Sequence, residues 1–126
     1  MKLSDLSIKR LNGVHPKLQA IVLLAAAQLD YPFNVSEGVR SKERQIQMFN
    51  EGKSKTKNGK HLIQSDGYGH AVDLYPLTDD RKQIDWACFP KFVEDMKSFA
   101  QQLGYDIQAG HDWKTFKDSP HFELKS

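Results

Sequence analysis

The first third of the chain changes from mixed polar residues to a long apolar run. Residues 1–16 have no clear period and are interpreted as a short polar lead-in. From Pro16 to residue 30 the chain is apolar almost without interruption and rich in Leu, Ala and Gln, which are strong helix formers. Pro16 suits the first turn of a helix, and Pro32 indicates that the helix ends before it. This pattern predicts a central helix over about 16–30 that is buried on nearly all sides.

The period then shortens to two, as in a β-strand. Phe33, Val35 and Val39 alternate with polar residues, which predicts a strand over 33–39 with one face on the core. Ser41 is typical of a helix N-cap, so the sequence predicts a second helix over about 41–51 that ends at Gly52.

The second half of the chain combines short alternating runs with one helical pattern. Residues 70–76 and 121–124 alternate as strands do, and residues 105–109 are a third candidate. Residues 89–103 have helical periodicity that ends before a glycine. Residues 53–69 are a polar loop of a length that is often functional. The order predicts an α+β fold with a small, mostly antiparallel sheet packed against helices.

Composition limits the class of protein. The chain has 126 residues, of which 39% are hydrophobic and 27% charged, as expected for one globular domain over 1–126. Its net charge of +2 is too small to indicate a nucleic-acid partner. The apolar run over 18–29 is shorter than a membrane span, and no secretory signal follows Met1. Cys88 is the single cysteine, which excludes an internal disulfide and favours a reducing compartment.

Two predicted strands place metal-binding side chains on a shared face. Val72 and Leu74 point to one side of their strand and Asp73 to the other, and the same rule places His121 opposite its apolar neighbours. If the strands belong to one sheet, Asp73 and His121 share its polar face and begin a zinc site. His61, in the preceding loop, is the best third ligand; His70 is a poor one.

Two further residues fit the chemistry of such a site. Asp118 precedes His121 by three residues, a spacing that suits a general base beside a metal-bound water. Arg40, at the polar side of the first strand, fits a group that binds a carboxylate or an oxyanion. Each residue also has an ordinary interpretation, as a solvated strand residue, a turn residue before Pro120, or a surface charge.

Three ordered segments resemble a known enzyme family. They are residues 36–41 (SEGVRS), 69–74 (GHAVDL) and 111–124, which contains HDW and DSPHFEL. Together they resemble the zinc DD-peptidases, that is, D-alanyl-D-alanine carboxypeptidases and dipeptidases, whose fold is shared with Hedgehog signalling domains. Within that family the chain is most similar to small phage endolysins that are L-alanyl-D-glutamate endopeptidases. The likeness extends from Val14 to Leu124.

The resemblance implies one zinc ion held by a histidine, an aspartate and a second histidine. The aspartate corresponds to Asp73 and the later histidine to His121. The general base of the family corresponds to Asp118, and its transition-state arginine to Arg40. These assignments agree with the pattern of the strands.

The first histidine departs from the family pattern. The position seven residues before the aspartate is Asp66, whereas the residues before His61 resemble those that lead into the ligand histidine. An insertion of five residues between Leu62 and Gly69 accounts for this, because lengthening a loop costs little closure entropy. His61 is therefore preferred over Asp66 as ligand. His111 replaces a glycine common in related endolysins and is interpreted as a passive loop residue.

The resemblance implies a zinc-dependent endopeptidase that hydrolyses the L-alanyl-D-glutamate bond of peptidoglycan stem peptides. Two alternatives remain: a D-Ala-D-Ala carboxypeptidase or dipeptidase, and a non-catalytic module that binds wall peptides. For an endolysin we expect a monomer with no separate wall-binding domain, no nucleic-acid partner and no membrane insertion. It would stay in the host cytoplasm until the membrane is permeabilised. Trp113 and Tyr68 are candidates for the cleft wall, and the lysines at 53, 55, 57 and 60 for attraction to the anionic wall.

Overall fold

The computed structural model describes residues 2–54, 59–114 and 117–125. The helices and strands in chain order are α1 (Asp5–Arg10), α2 (Pro16–Gln28), β1 (Phe33–Glu37), α3 (Lys42–Asn50), β2 (Ala71–Pro76), α4 (Phe89–Leu103), β3 (Ile107–Ala109) and β4 (His121–Leu124). Short 3-10 turns cover Trp86–Cys88 and Gly110–Asp112. Within the described ranges, no helix is both long and apolar enough to cross a membrane. The α+β class is confirmed.

The four strands form one antiparallel sheet in the order β1-β2-β4-β3. The two central strands are β2 and β4, and Asp73 lies directly opposite His121 in their register. Val72 lies opposite Phe122, and both are fully buried. Because side chains alternate along a strand, this register sets one face of the sheet against the apolar core and leaves the site residues on the other.

The core lies between the helices and the sheet. The apolar residues of α4 recur at helical spacing and are buried, and the helix ends at Gly104, whose φ of 79° suits glycine. Phe92 is at the centre, with ring centroids 5.5 Å from Phe33 and 5.8 Å from Phe122. Burial of one such side chain contributes roughly 1.5–3 kcal/mol.

Two expectations about the first 30 residues are wrong. Residues 1–16 are not a lead-in, because they contain α1, whose first turn is capped by the Ser4 hydroxyl. The buried Ser7 hydroxyl accepts a hydrogen bond from the Val35 amide, so α1 covers the edge of β1. Leu6 and Ile8 are half exposed, at 53% and 50%. The apolar residues of α1 therefore do not recur at the spacing of a single buried helix face, and the pattern did not predict this helix. Similarly, α2 is not buried on all sides, since Leu23 is 51% exposed.

The other predicted elements are confirmed with small changes at their ends. The Ser41 hydroxyl accepts a hydrogen bond from the Arg44 amide and caps α3. The strand expected over 33–39 stops at Glu37, after a register irregularity between Val35 and Glu37. The candidate strand over 105–109 is reduced to β3.

Candidate metal centre

The antiparallel pairing of β2 and β4 brings Asp73 and His121 together. Their backbones are direct partners, and the Nδ1 atom of His121 lies 3.6 Å from Oδ1 of Asp73. His121 is 7% exposed. The face shared by these two residues is therefore enclosed, although the residues themselves are polar.

His61 reaches the same carboxylate from the loop before β2. Its Nε2 atom lies 3.1 Å from Oδ1 of Asp73, and the side chain is 2% exposed. The Arg40 amide donates a hydrogen bond of 2.9 Å to the His61 carbonyl, which fixes the loop at this point. The structure thus places all three residues predicted as metal ligands at one site.

Each histidine ring is oriented by an acceptor on its far side. His61 Nδ1 lies 2.9 Å from the Gly38 carbonyl oxygen, which can only accept a hydrogen bond, so Nδ1 carries a proton and Nε2 is the nitrogen available to a metal. His121 Nε2 lies 2.8 Å from Oε1 of Glu123, which holds a proton on Nε2 and leaves Nδ1 as the nitrogen that can bind a metal once it has lost its own proton. Such acceptors behind the ring fix the tautomer that binds a metal.

The distances fit a tetrahedral zinc site. One ligand atom from each residue lies within 4.8 Å of the other two. Zinc–ligand bonds of the usual length at tetrahedral angles place neighbouring ligand atoms about 3.4 Å apart. Two imidazole nitrogens and one carboxylate oxygen are also a donor set that zinc accepts, with a fourth position open to water.

The charges in the site stabilise an ionised carboxylate. Burial alone would raise the pKa of Asp73, but hydrogen bonds and attraction from His121 and His61 outweigh it and hold the pKa well below its usual range. Burial alone would lower the pKa of His121, yet Asp73 and Glu123 raise it to about 9.

Arg40 lies beside the triad but not on a strand. It follows the end of β1 and is only 6% exposed, whereas the sequence placed it at the polar side of the first strand. Its Nε and Nη2 atoms donate hydrogen bonds of 2.8 Å to the two carboxylate oxygens of Glu37, and Nη1 donates one of 2.7 Å to Gln45. Its Nη2 is 3.6 Å from Oδ2 of Asp73. The guanidinium is therefore held in one position.

Asp118 is fixed by backbone contacts at the start of β4. Its amide donates to the Gly110 carbonyl at 3.1 Å, and its own carbonyl accepts from the His121 amide at 3.1 Å. A Cβ at Gly110 would overlap the Asp118 carbonyl oxygen, so only glycine permits this approach. Burial, and then the negative charge of Asp73, raise the pKa of the Asp118 carboxyl.

Comparison with known proteins places the chain in a family. The sequence pattern of the phage L-alanyl-D-glutamate peptidase family matches residues 1–125. The chain belongs to that family.

Individual relatives agree. The chain is 33% identical over 95 residues to the L-alanyl-D-glutamate peptidase of Listeria phage A118. This alignment covers 71% of this chain and 29% of that protein. It is 31% identical over 113 residues to the peptidoglycan L-alanyl-D-glutamate endopeptidase CwlK of Bacillus subtilis strain 168. This alignment covers 79% of this chain and 65% of that protein. The chain thus spans less than two thirds of the length of either relative.

A solved structure has the same fold. The crystal structure of the Serratia marcescens L-Ala D-Glu endopeptidase ChiX matches with a TM-score of 0.85 and 34% identity, over 98% of this chain and 90% of that chain. The fold expected from the resemblance is therefore confirmed.

Other residues considered from the sequence lie away from the three ligands. Asp66, the alternative ligand, is bound instead to His70, with 2.7 Å between Oδ2 and Nε2. His111 stacks on Phe89 at 6.0 Å, as a structural residue would. Tyr68 packs beside the ring of His15.

Two expectations concern the edge of the site and the basic loop. Trp113 packs against His121, with ring centroids 5.1 Å apart, which suits a residue of the cleft wall. Lys60 donates a hydrogen bond of 2.9 Å to the Leu124 carbonyl, so its ammonium is tied to the sheet. Lys55 and Lys57 lie outside the described residues.

Three supporting residues were missed by the sequence reasoning: Glu123, Glu37 and Gln45. For Glu123 the signal was available, because a residue two positions after His121 on a strand points to the same face. Glu37 precedes Arg40 by three residues, but β1 ends at Glu37. Strand alternation therefore does not predict that the two side chains meet. Gln45 gave no signal, since its burial depends on how α3 packs.

Proposed function

We propose that this protein is a zinc-dependent endopeptidase that hydrolyses the L-alanyl-D-glutamate bond of peptidoglycan stem peptides. The observation that carries the proposal is the convergence of His61, Asp73 and His121 at one enclosed point in a member of this family. The names of the relatives from Listeria phage, Bacillus and Serratia support the same scissile bond.

The metal would be held by His61 Nε2, Asp73 Oδ1 and His121 Nδ1, the three atoms that face one another. Zinc held there would supply Lewis-acid chemistry, which lowers the pKa of a water and polarises a carbonyl. The Gly38 carbonyl and the Glu123 carboxylate hold the two rings in the tautomers that this binding requires.

Asp118 is proposed as the general base and acid. Its carboxylate accepts a proton from the attacking water and then donates that proton to the leaving amine of D-glutamate. Two features support the role: its backbone is fixed between Gly110 and His121, and burial beside Asp73 raises its pKa above that of an ordinary carboxyl. A higher pKa makes the carboxylate a stronger base.

Arg40 is proposed to stabilise the oxyanion that develops on the scissile carbonyl. Its position is set in advance by Glu37 and Gln45, so no reorganisation of the guanidinium is needed during the reaction. Because the side chain is almost buried, its charge acts in surroundings where electrostatic interactions are stronger than in water.

The test is cleavage of defined muropeptides followed by mass spectrometry. We expect products cut after L-alanine, loss of cleavage with a chelator and recovery with zinc. Asp73→Asn should abolish both the tight binding of zinc and cleavage, while the exposed Asp79→Asn should change neither. Release of terminal D-alanine would indicate a carboxypeptidase instead, and tight zinc binding without any cleavage would indicate a wall-peptide-binding module.

We further propose that residues 1–126 act as one catalytic domain and as a monomer. As for a phage lysin, the protein would meet the wall after the host membrane has been permeabilised. Sedimentation of the purified chain tests the monomer, and lysis of intact cells with and without a membrane-permeabilising agent tests the route.

A further inference from the structure

A second cluster of metal-binding side chains lies apart from the proposed zinc centre. It consists of His15, Asp66 and His70, each of which offers a ligand atom within 4.8 Å of the others. Oδ2 of Asp66 lies 2.7 Å from Nε2 of His70 and 3.7 Å from Nε2 of His15. The proposed mechanism uses none of these residues.

Backbone hydrogen bonds hold the three residues together. The His15 amide donates to the Gly69 carbonyl at 2.8 Å, and the Gly69 amide donates to the Gly13 carbonyl at 3.0 Å. Oδ1 of Asp66 accepts from the Tyr68 amide at 3.1 Å, which leaves Oδ2 facing the two rings. The arrangement is therefore set by the fold of the loop rather than by chance contact of long side chains.

The charge states suit a metal. Burial and then the neighbouring His70 lower the pKa of His15, which favours the neutral ring. Partial burial opposes ionisation of Asp66, but hydrogen bonds from His70 and the Tyr68 amide lower its pKa overall. Metal ligands must be deprotonated, and both shifts favour the deprotonated forms.

We propose that His15, Asp66 and His70 form a second, solvent-accessible site for a divalent transition-metal ion, with zinc as its representative. Two imidazoles and one carboxylate are a donor set that such ions accept, and water completes the coordination. The side chains are 21%, 40% and 17% exposed, so the ion binds more weakly here than at the enclosed triad.

This site links the loop that carries His61 to the start of α2. His15 Nδ1 accepts a hydrogen bond of 3.0 Å from the Lys17 amide and so caps that helix. A neutral ring in this state carries its proton on Nε2. When a metal binds at Nε2, that proton leaves, a proton is taken up at Nδ1, and the cap bond to Lys17 is lost. Binding therefore fixes the loop and releases the first amide of α2.

Zinc titration of the full chain, followed by native mass spectrometry and calorimetry, tests the site. Asp66→Asn retains Oδ1 for the Tyr68 amide but removes the carboxylate. His15→Asn retains a good helix cap but removes the imidazole. His111→Asn is the matched control, because among the described residues His111 stacks on Phe89 and contacts Ser119, outside both clusters.

We expect the wild type and His111→Asn to bind a tight and a weaker equivalent of zinc. Asp66→Asn and His15→Asn should lose the weaker equivalent and retain the tight one. Muropeptide cleavage should persist in Asp66→Asn, so this proposal can fail while the proposed function stands. A wild type without a weaker equivalent, or one that survives both substitutions, would overturn the second site.

The link to the helix has its own measurement. In amide NMR spectra, the second equivalent of zinc should shift the Lys17 resonance of the wild type and leave it unchanged in Asp66→Asn. A Lys17 amide that does not respond while the weaker equivalent binds would refute the release of the cap.

Discussion

The two imidazole rings of the metal centre show how much of the chemistry depends on single atoms. Each ring has an acceptor behind it, the Gly38 carbonyl for His61 and the Glu123 carboxylate for His121, and each presents its other nitrogen to Asp73. Exchange of one acceptor would leave the ring in place but change which nitrogen carries the proton. The function of the site therefore depends on residues that do not bind the metal.

Asp118→Asn tests the base directly. The amide has nearly the same shape but cannot accept the proton of the attacking water, so we expect cleavage to fall about a hundredfold to ten-thousandfold. Zinc content and melting temperature should stay as in the wild type, since the backbone of Asp118 makes the structural contacts. Asp79→Asn, on an exposed turn, is the control, and equal loss in both variants would contradict the assignment.

Glu123→Gln tests the residue behind His121. The amide oxygen can still accept from Nε2 but lacks the negative charge that makes the imidazole a better ligand, so zinc affinity should fall about 10- to 100-fold. Competition with a fluorescent chelator measures this. Glu94→Gln, an exposed position on α4, should bind zinc as the wild type does. Unchanged affinity in Glu123→Gln would mean that His121 is oriented by packing alone.

At the scale of elements, periodicity was informative where a long helix has one buried face. Helix α4 matches its prediction over 89–103 because six buried positions recur at helical spacing and a glycine ends it. Helix α1 escaped prediction because it has only six residues and exposes Leu6 and Ile8. The end of β1 was misplaced because a register irregularity interrupts the alternation.

Asp95 joins α4 to the segment before β1 and gives a prediction about pH. The Tyr31 hydroxyl and the Lys91 ammonium donate to its Oδ2 at 2.6 and 2.7 Å. Partial burial opposes ionisation, but these hydrogen bonds lower the pKa of Asp95 below its ordinary 3.8. Asp95→Asn should therefore cost about 1 kcal/mol of unfolding free energy near neutral pH.

The contribution of Asp95 should depend on pH with a definite sign. A carboxyl whose pKa is lowered in the folded state stabilises the fold above the unfolded value, and this stabilisation is lost as the pH falls through the folded value. The difference in urea unfolding between wild type and Asp95→Asn should therefore shrink below about pH 3.8. Glu94→Gln should show no such trend, and a difference that grows on acidification would refute the argument.

At the scale of the molecule, the candidate metal centre joins segments that are distant in the sequence. His61 comes from a loop, Asp73 from β2 and His121 from β4, and they meet only when the sheet has formed. A metal that binds the folded chain alone therefore stabilises the whole fold. Removal of zinc should therefore lower the stability of the whole fold as well as empty the site.

Zinc should raise the melting temperature of the chain. At about a hundredfold excess over the dissociation constant, binding stabilises the fold by roughly 2.7 kcal/mol, which corresponds to about 10 °C for a domain of this size. Calorimetry with and without a chelator measures the shift. Asp73→Asn, which lacks the central ligand, should show little of it, and an equal shift in that variant would place the stabilising ion elsewhere.

The sequence by itself determined the α+β class, most of the elements and the set of candidate ligands. Alternation placed Asp73 and His121 on one face, spacing and strand position pointed to Asp118 and Arg40, and the resemblance to a peptidase family implied the same residues. The fold class and most elements could be predicted because the side-chain period of a strand is a local property, and the candidate ligands could be named because the chemistry of a residue is local too.

Only the tertiary structure shows which of His61 and Asp66 lies beside Asp73, because the path of a loop depends on contacts with distant segments. It placed His61 against Asp73 and turned Asp66 towards His15 and His70. It also supplied the partners of Arg40 and the acceptors behind the two rings. Such contacts join residues far apart in the chain, and no local pattern encodes which of them will meet.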